Sequence, residues 1–138
     1  MLHEHEDISV IGLRRRYEQR DALPNDIIRT LYCKIDATSP VWIHLRDLDD
    51  ALAAAFAVEQ RRAAGESLPL YGIPFGVKDN IDVAGMPTTA ACREFSYVPQ
   101  LSAHSVALLE RAGAICLGKT NLDQFATGLS GTRSPYGA

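Results

Sequence analysis

Lysine is scarce in this chain of 138 residues, which has three lysines against eleven arginines. Long apolar runs are also missing, and none approaches the roughly 20 residues of a membrane-spanning helix. The acidic start of the sequence lacks the basic and apolar regions of a signal peptide. The net charge is -3, so no excess of positive charge favours nucleic acid as a partner. We expect a globular protein that binds neither membranes nor nucleic acid.

Cysteine is infrequent and shows no pairing pattern. Cys33, Cys92 and Cys116 are odd in number, widely spaced and never arranged as C-x-x-C. This spacing disfavours a disulfide framework and a zinc site, and it favours reduced thiols in the cytoplasm. Each cysteine is therefore expected to pack as a small buried apolar side chain.

The four histidines do not have the spacing of a metal site. His3 and His5 lie in an acidic terminal segment of a kind that is usually solvated. His44 is predicted to pack within a short strand, and His104 to be exposed in the first turn of a helix. We expect neither a metal ion nor an organic cofactor.

Residues 1–66 are predicted to form an N-terminal helical segment. A first helix is expected over residues 8–20, and apolar residues at three- and four-residue spacing indicate a second over residues 27–35. Residues 41–45 form a short extended segment. The clearest helix spans residues 48–64, with acidic residues in its first turn and arginines in its last, as the helix dipole favours. Its buried stripe is predicted to contain Leu48, Leu52 and Phe56.

Residues 67–138 have the pattern of an α/β core. A strand is predicted over residues 72–77, a helix over 102–112, a buried strand over 114–117 and a further helix from residue 122. A strand, a helix and a strand in this order imply a crossover onto a parallel sheet. The fold class is therefore α/β, with a largely parallel sheet flanked by helices.

Lys78 and Lys119 are expected just beyond the ends of the two strands, where the active sites of such sheets lie. Lys78 is the more informative, because it ends an apolar strand in a chain that otherwise uses arginine. A buried lysine readily loses its proton, whereas arginine stays charged. The residues alone leave an alternative open, in which Lys78 only pairs with Asp79 or Asp82.

Residues 113–120 (GAICLGKT) match the spelling of a phosphate-binding P-loop. A P-loop needs a strand before its first glycine and a flexible loop between its two glycines. Here a charged helical segment precedes Gly113, and the residues between the glycines are predicted to be a strand. We therefore disfavour nucleotide binding.

Three ordered motifs resemble the amidase-signature family. They are residues 70–82 (LYGIPFGVKDNID), residues 118–126 (GKTNLDQFA) and residues 131–137 (GTRSPYG). The resemblance covers about residues 40–138 and implies the N-terminal part of the amidase-signature fold. Within the family, residues 41–45, 88–92 and 123–128 are most similar to allophanate hydrolases.

The resemblance implies acyl transfer through a Ser-Ser-Lys triad. Lys78, held neutral by burial, accepts the proton that a second serine relays from the nucleophilic serine. Backbone amides stabilise the oxyanion, and ammonia leaves. Asp79 opposes the loss of the proton if it approaches the amine, so it is expected to point away.

The resemblance also implies a small-molecule amide substrate, with Ala126, Thr127, Gly128 and Ser134 lining its pocket. A homodimer is a candidate assembly of the full-length enzyme, and urea carboxylase is an expected functional partner. The serine signature is expected beyond Ala138, so the fold is expected to be incomplete, inactive alone and marginally stable. The alternatives are a piece of the glutaminyl-tRNA amidotransferase component that carries the amidase motifs, a piece of a general amidase, or a non-catalytic interaction module.

Overall fold

The computed structural model describes residues 7–138, so the segment with His3 and His5 lies outside the described residues. The helices and strands follow one another in the predicted order, apart from the last predicted helix. They are α1 (Val10–Gln19), α2 (Pro24–Lys34), β1 (Trp42–Leu45), α3 (Leu48–Ala63), β2 (Pro74–Lys78), α4 (His104–Arg111) and β3 (Ile115–Thr120).

Local chemistry explains where the helices begin and end. The Ser9 hydroxyl accepts a hydrogen bond of 3.0 Å from the amide of Gly12 and so caps the start of α1. Pro24 opens α2, where the missing N–H has no partner to lose. α3 ends at Ala63, and Gly65 follows with a φ of +90°, the left-handed conformation that favours glycine at this place.

The chain forms two compact units. The first contains residues 7–35, 47–74 and 109–115, and the second contains residues 36–46, 75–108 and 116–138.

Packing in the first unit differs from the predicted stripe on α3. The α3 residues buried there are Ala51, Ala55 and Val58. Phe56, predicted to be buried, is 57% exposed. That prediction was wrong because α3 packs against α2 through small residues, which let two helices approach closely, and the larger apolar side chains lie toward the outer face.

The second unit contains most of the sheet, whose strand order is β1-β3-β2. β1 pairs with β3 in the antiparallel sense. β2 and β3 run parallel, since main-chain hydrogen bonds advance together along both strands, from Ile115 N to Ile73 O and from Asp79 N to Thr120 O. The sheet is therefore mixed. Its apolar core contains Val77, Val83, Met86, Val106 and Cys116.

Two further predictions were wrong. Cys33 is exposed on α2, although Cys116 is buried as expected and Cys92 is partly buried. The helix predicted from residue 122 is a single 3-10 turn, Gln124–Ala126, in which Phe125 has a φ of 52°. The chain turns there because the following loop binds back onto Asp123, as described below.

Among residues 7–138, no helix is long and apolar enough to span a membrane.

Candidate active site

Lys78 is the last residue of β2 and is exposed. Neighbouring residues in a strand point to opposite faces, and Asp79, which follows Lys78, is completely buried. Within residues 7–138, no hydrogen bond or ion pair engages the Lys78 amine. The burial expected for Lys78 is not provided by the described residues, and that expectation was wrong for this chain.

Lys119 is the buried lysine of the second unit, with an exposed fraction of 0%. It lies inside β3 rather than beyond it, because β3 continues to Thr120. Its Nζ lies 2.9 Å from Asp79 Oδ1 in a fully buried ion pair. Nζ also donates to the Pro87 carbonyl and the Thr88 hydroxyl, both at 3.0 Å. A lysine enclosed by protein oxygens is not available to a phosphate, and the strand through residues 115–120 argues against the P-loop as predicted.

Asp79 is held from several directions. Its carboxylate accepts a hydrogen bond of 3.0 Å from Thr89 N and another from the Thr89 hydroxyl. Its main-chain N–H donates to Thr120 O, and its carbonyl accepts from Ala90 N, both at 3.0 Å. Asp79 is therefore the partner of Lys119, and the alternative in which it pairs with Lys78 is wrong.

Asp82, the other candidate partner of Lys78, is also engaged elsewhere. Its Oδ1 accepts hydrogen bonds from the Thr88 hydroxyl at 2.9 Å and from the Tyr97 hydroxyl at 2.7 Å. The hydrogen bond to Asp82 raises the pKa of the Tyr97 hydroxyl. Both acidic residues near Lys78 in the sequence thus bind other side chains.

The predicted substrate residues Ala126, Thr127 and Gly128 follow the buried Asp123. Ala126 and Thr127 are exposed, and Gly128 is partly buried. A methyl group on Gly128 would meet Asp123 Oδ2 at 2.4 Å, so only glycine fits this approach. Phe125 N donates to Ala90 O at 2.9 Å, and Ala90 N donates to Asp79 O. This main-chain relay connects the residue after Lys78 to the residue before Ala126.

Asp123 organises the loop that follows. Its carboxylate accepts hydrogen bonds from Gly131 N at 2.9 Å and from Arg133 N at 2.6 Å. These main-chain N–H groups, Arg133 first, hold the pKa of the Asp123 carboxyl below its usual range. An aspartate that collects amides in this way replaces the helix predicted from residue 122.

Ser134 is bound locally rather than directed at Lys78. Its hydroxyl donates to Asn121 Oδ1 at 2.6 Å and accepts from Tyr136 N at 3.2 Å. Asn121 N in turn donates to Val41 O at 2.9 Å, just before β1. No hydrogen bond among residues 7–138 joins Lys78 to any of the four predicted substrate residues.

Backbone strain concentrates beside these residues. Ala90 and Ala91 have φ values of 50° and 57°, and Phe125 and Ala126 have 52° and 57°. Left-handed conformations are costly outside glycine and gather at functional sites. Nothing in the sequence indicated these two turns, because alanine and phenylalanine rarely adopt such angles.

The histidines and acidic residues of residues 7–138 form no cluster of three ligands that would hold a metal ion. His44 is partly buried on β1, as predicted, and His104 is exposed at the start of α4, as predicted.

Comparisons with known proteins identify the class to which this fold and site belong. The family model described as Amidase matches residues 26–138, and the chain belongs to this family. Over 99 residues it is 60% identical to urea amidolyase of Lachancea kluyveri, covering 71% of this chain and 5% of the relative. Over 96 residues it is 58% identical to urea amidolyase of Saccharomyces cerevisiae, covering 70% of this chain and 5% of the relative. A glutamyl-tRNA(Gln) amidotransferase component of Akkermansia muciniphila is 42% identical over 127 residues, covering 90% and 26%.

A solved structure agrees with this assignment. The allophanate hydrolase of Kluyveromyces lactis superposes with a TM-score of 0.83 and 42% identity over 94% of this chain and 21% of that chain. The resemblance to allophanate hydrolases and the fold class are thereby confirmed. The fold is part of the amidase-signature fold. The chain spans a small part of the relatives that it matches.

Proposed function

We propose that this chain is the N-terminal part of an allophanate hydrolase, in which Lys78 is the catalytic base. One observation carries the proposal: Asp79 and Asp82 both bind other side chains, while the amine of Lys78 at the end of β2 has no partner within residues 7–138. A lysine without a carboxylate partner loses its proton more readily than one in an ion pair.

In the proposed reaction, the bridging and nucleophilic serines come from a glycine-serine signature in sequence that follows residue 138 of the complete enzyme. The nucleophilic hydroxyl gives its proton through the bridging serine to Lys78 Nζ and attacks the amide carbonyl. The proton then passes to the leaving nitrogen, and ammonia departs. Water hydrolyses the acyl-enzyme, and the serines and Lys78 return to their starting state.

We further propose that Ala126, Thr127, Gly128 and Ser134 line the substrate pocket. The main-chain relay from Asp79 through Ala90 to Phe125 supports this for the first three residues. The Asn121 bond supports Ser134 as a residue that shapes the pocket wall. The complete enzyme is proposed to be cytoplasmic, to form a homodimer and to act in urea degradation beside urea carboxylase.

The test uses a polypeptide extended through a serine signature. We expect it to hydrolyse allophanate in preference to glutamine and simple amides. Lys78→Arg keeps the charge but cannot accept the proton, so kcat is expected to fall by about 10²–10⁴-fold. Lys34→Met, at the exposed end of α2, is the matched control and should leave kcat unchanged.

Three outcomes oppose the proposal. A preference for glutamine would favour the amidotransferase alternative, which the 42% identity to the Akkermansia muciniphila protein keeps in view. Full activity of Lys78→Arg would remove the role of Lys78. Hydrolysis of allophanate by residues 1–138 alone would show that the expected serines are not needed.

A further inference from the structure

Lys119 connects three separate segments of the second unit. Asp79 follows β2, Pro87 and Thr88 belong to a loop, and Lys119 itself lies in β3. The ammonium group has three N–H donors, and three oxygens of these segments lie within 3.0 Å of Nζ. A fully buried lysine with this set of partners has no donor left for solvent or substrate.

The contact between Lys119 and Asp79 is one residue away from the proposed base. Asp79 is fixed to Thr120 and Ala90 through its main chain, and to Thr89 through its carboxylate. The backbone that carries Lys78 is therefore held between β3 and the loop of residues 87–91.

The charge of Asp79 bears on the same chemistry. A buried carboxylate beside Lys78 favours the protonated amine and opposes the function of a base. The ammonium of Lys119, at 2.9 Å, offsets that negative charge. Lys78 then has a neutral ion pair as its neighbour in place of a lone anion.

We infer that Lys119 is a positioning residue for Lys78: it holds the carboxylate of Asp79 in a buried ion pair and so leaves the amine of Lys78 free to accept a proton. This inference rests on the proposed function. The two lysines have different tasks, one charged and enclosed, the other uncommitted at the strand end.

Other titratable groups border this pair and stay unchanged in the test. Asp82 binds the hydroxyls of Thr88 and Tyr97. His44 on β1 lies opposite Lys119 in the antiparallel register. Their contributions are common to all variants, so differences between variants report on Asp79 and Lys119.

The experiment measures kcat against pH in the extended polypeptide for Lys119→Met, Asp79→Asn and the double variant. In Lys119→Met the unpaired Asp79 should move the rising limb of the profile to higher pH by about one unit. In Asp79→Asn the unpaired Lys119 should move it to lower pH. The double variant should return close to the parent, because neither charge remains.

The double variant keeps the test decisive if Lys119→Met does not fold, since a buried pair removed together is tolerated better than one partner alone. Thermal melting checks the fold of each variant. Rising limbs that coincide in Asp79→Asn, the double variant and the parent would overturn the inference. If Lys78→Arg is also fully active, the proposed function fails instead, so the two failures are distinguishable.

Discussion

At the residue scale, burial separates lysines that sequence treats alike. Lys119 is enclosed by oxygens of Asp79, Pro87 and Thr88, whereas Lys78 and Lys34 are exposed. A buried amine must be uncovered before a reagent reaches it. The reactivity of each lysine is therefore a direct measure of the arrangement around β3.

We expect an acylating reagent to modify Lys78 and Lys34 of the native chain much faster than Lys119. Peptide mapping by mass spectrometry after short exposure measures the three rates. In denaturant all three lysines should react alike, which is the control for intrinsic reactivity. Equal labelling of Lys119 and Lys34 under native conditions would contradict the buried ion pair.

Asp123 gives a pH prediction. The amides of Arg133 and Gly131 lower the folded-state pKa of its carboxyl below the unfolded value of about 3.9. Its contribution to stability is therefore present above that unfolded value and is lost as the pH falls through the folded pKa. Asp123→Asn should destabilise the chain at pH 7, and the difference should vanish at strongly acid pH.

Urea denaturation at several pH values measures this difference, and the exposed Asp21→Asn serves as the control. A destabilisation by Asp123→Asn that stays constant down to strongly acid pH would contradict the role of the carboxylate charge.

At the scale of elements, α3 shows how periodicity can select the wrong face. Both faces of this helix carry apolar residues three and four positions apart. Large side chains favoured the stripe with Leu48, Leu52 and Phe56, but α3 buries Ala51, Ala55 and Val58. Alanine is a strong helix former on any face, so its presence alone did not identify the face that packs.

The buried alanine face predicts the effect of two substitutions. Ala55→Leu places three extra carbon atoms where the exposed fraction is 0%, and overpacking should cost about 1–3 kcal/mol. Phe56→Ser, on the exposed face of the same helix, should change the free energy of unfolding by less than about 0.5 kcal/mol. Urea denaturation measures both, and the reverse order would place the wrong face inward.

At the scale of the whole molecule, the second unit exposes a connected aromatic group, Phe95, Tyr97 and Phe125. The ring centres of Phe95 and Tyr97 are 5.6 Å apart, and those of Phe95 and Phe125 are 5.3 Å apart, both edge-on. Phe95 and Phe125 are each about half exposed. A contiguous exposed apolar patch favours association with other surfaces.

We expect residues 1–138 alone to self-associate as concentration rises, and Phe95→Ser to reduce this because it removes the central ring. Light scattering over a concentration series measures the effect. Gln100→Ser, an exposed polar change, is the matched control. A chain that stays monomeric at all concentrations and melts cooperatively would favour the interaction-module alternative.

The sequence by itself determined the order of the elements and the segments that carry the chemistry. Local signals were sufficient there: Pro24, Gly65 and the charges of α3 act within a few residues of their own position. The three motifs likewise identified the family, because each is a continuous stretch.

Only the tertiary structure decided which lysine is buried, which aspartate it binds and where residues 122–134 turn. Lys119 meets Asp79 because β3 lies between β1 and β2, a pairing of strands that are distant in sequence. Asp123 gathers the amides of Gly131 and Arg133 and so prevents a helix that its neighbours favour. Burial and ion pairing depend on segments that the chain brings together only when it folds, and a local pattern does not contain them.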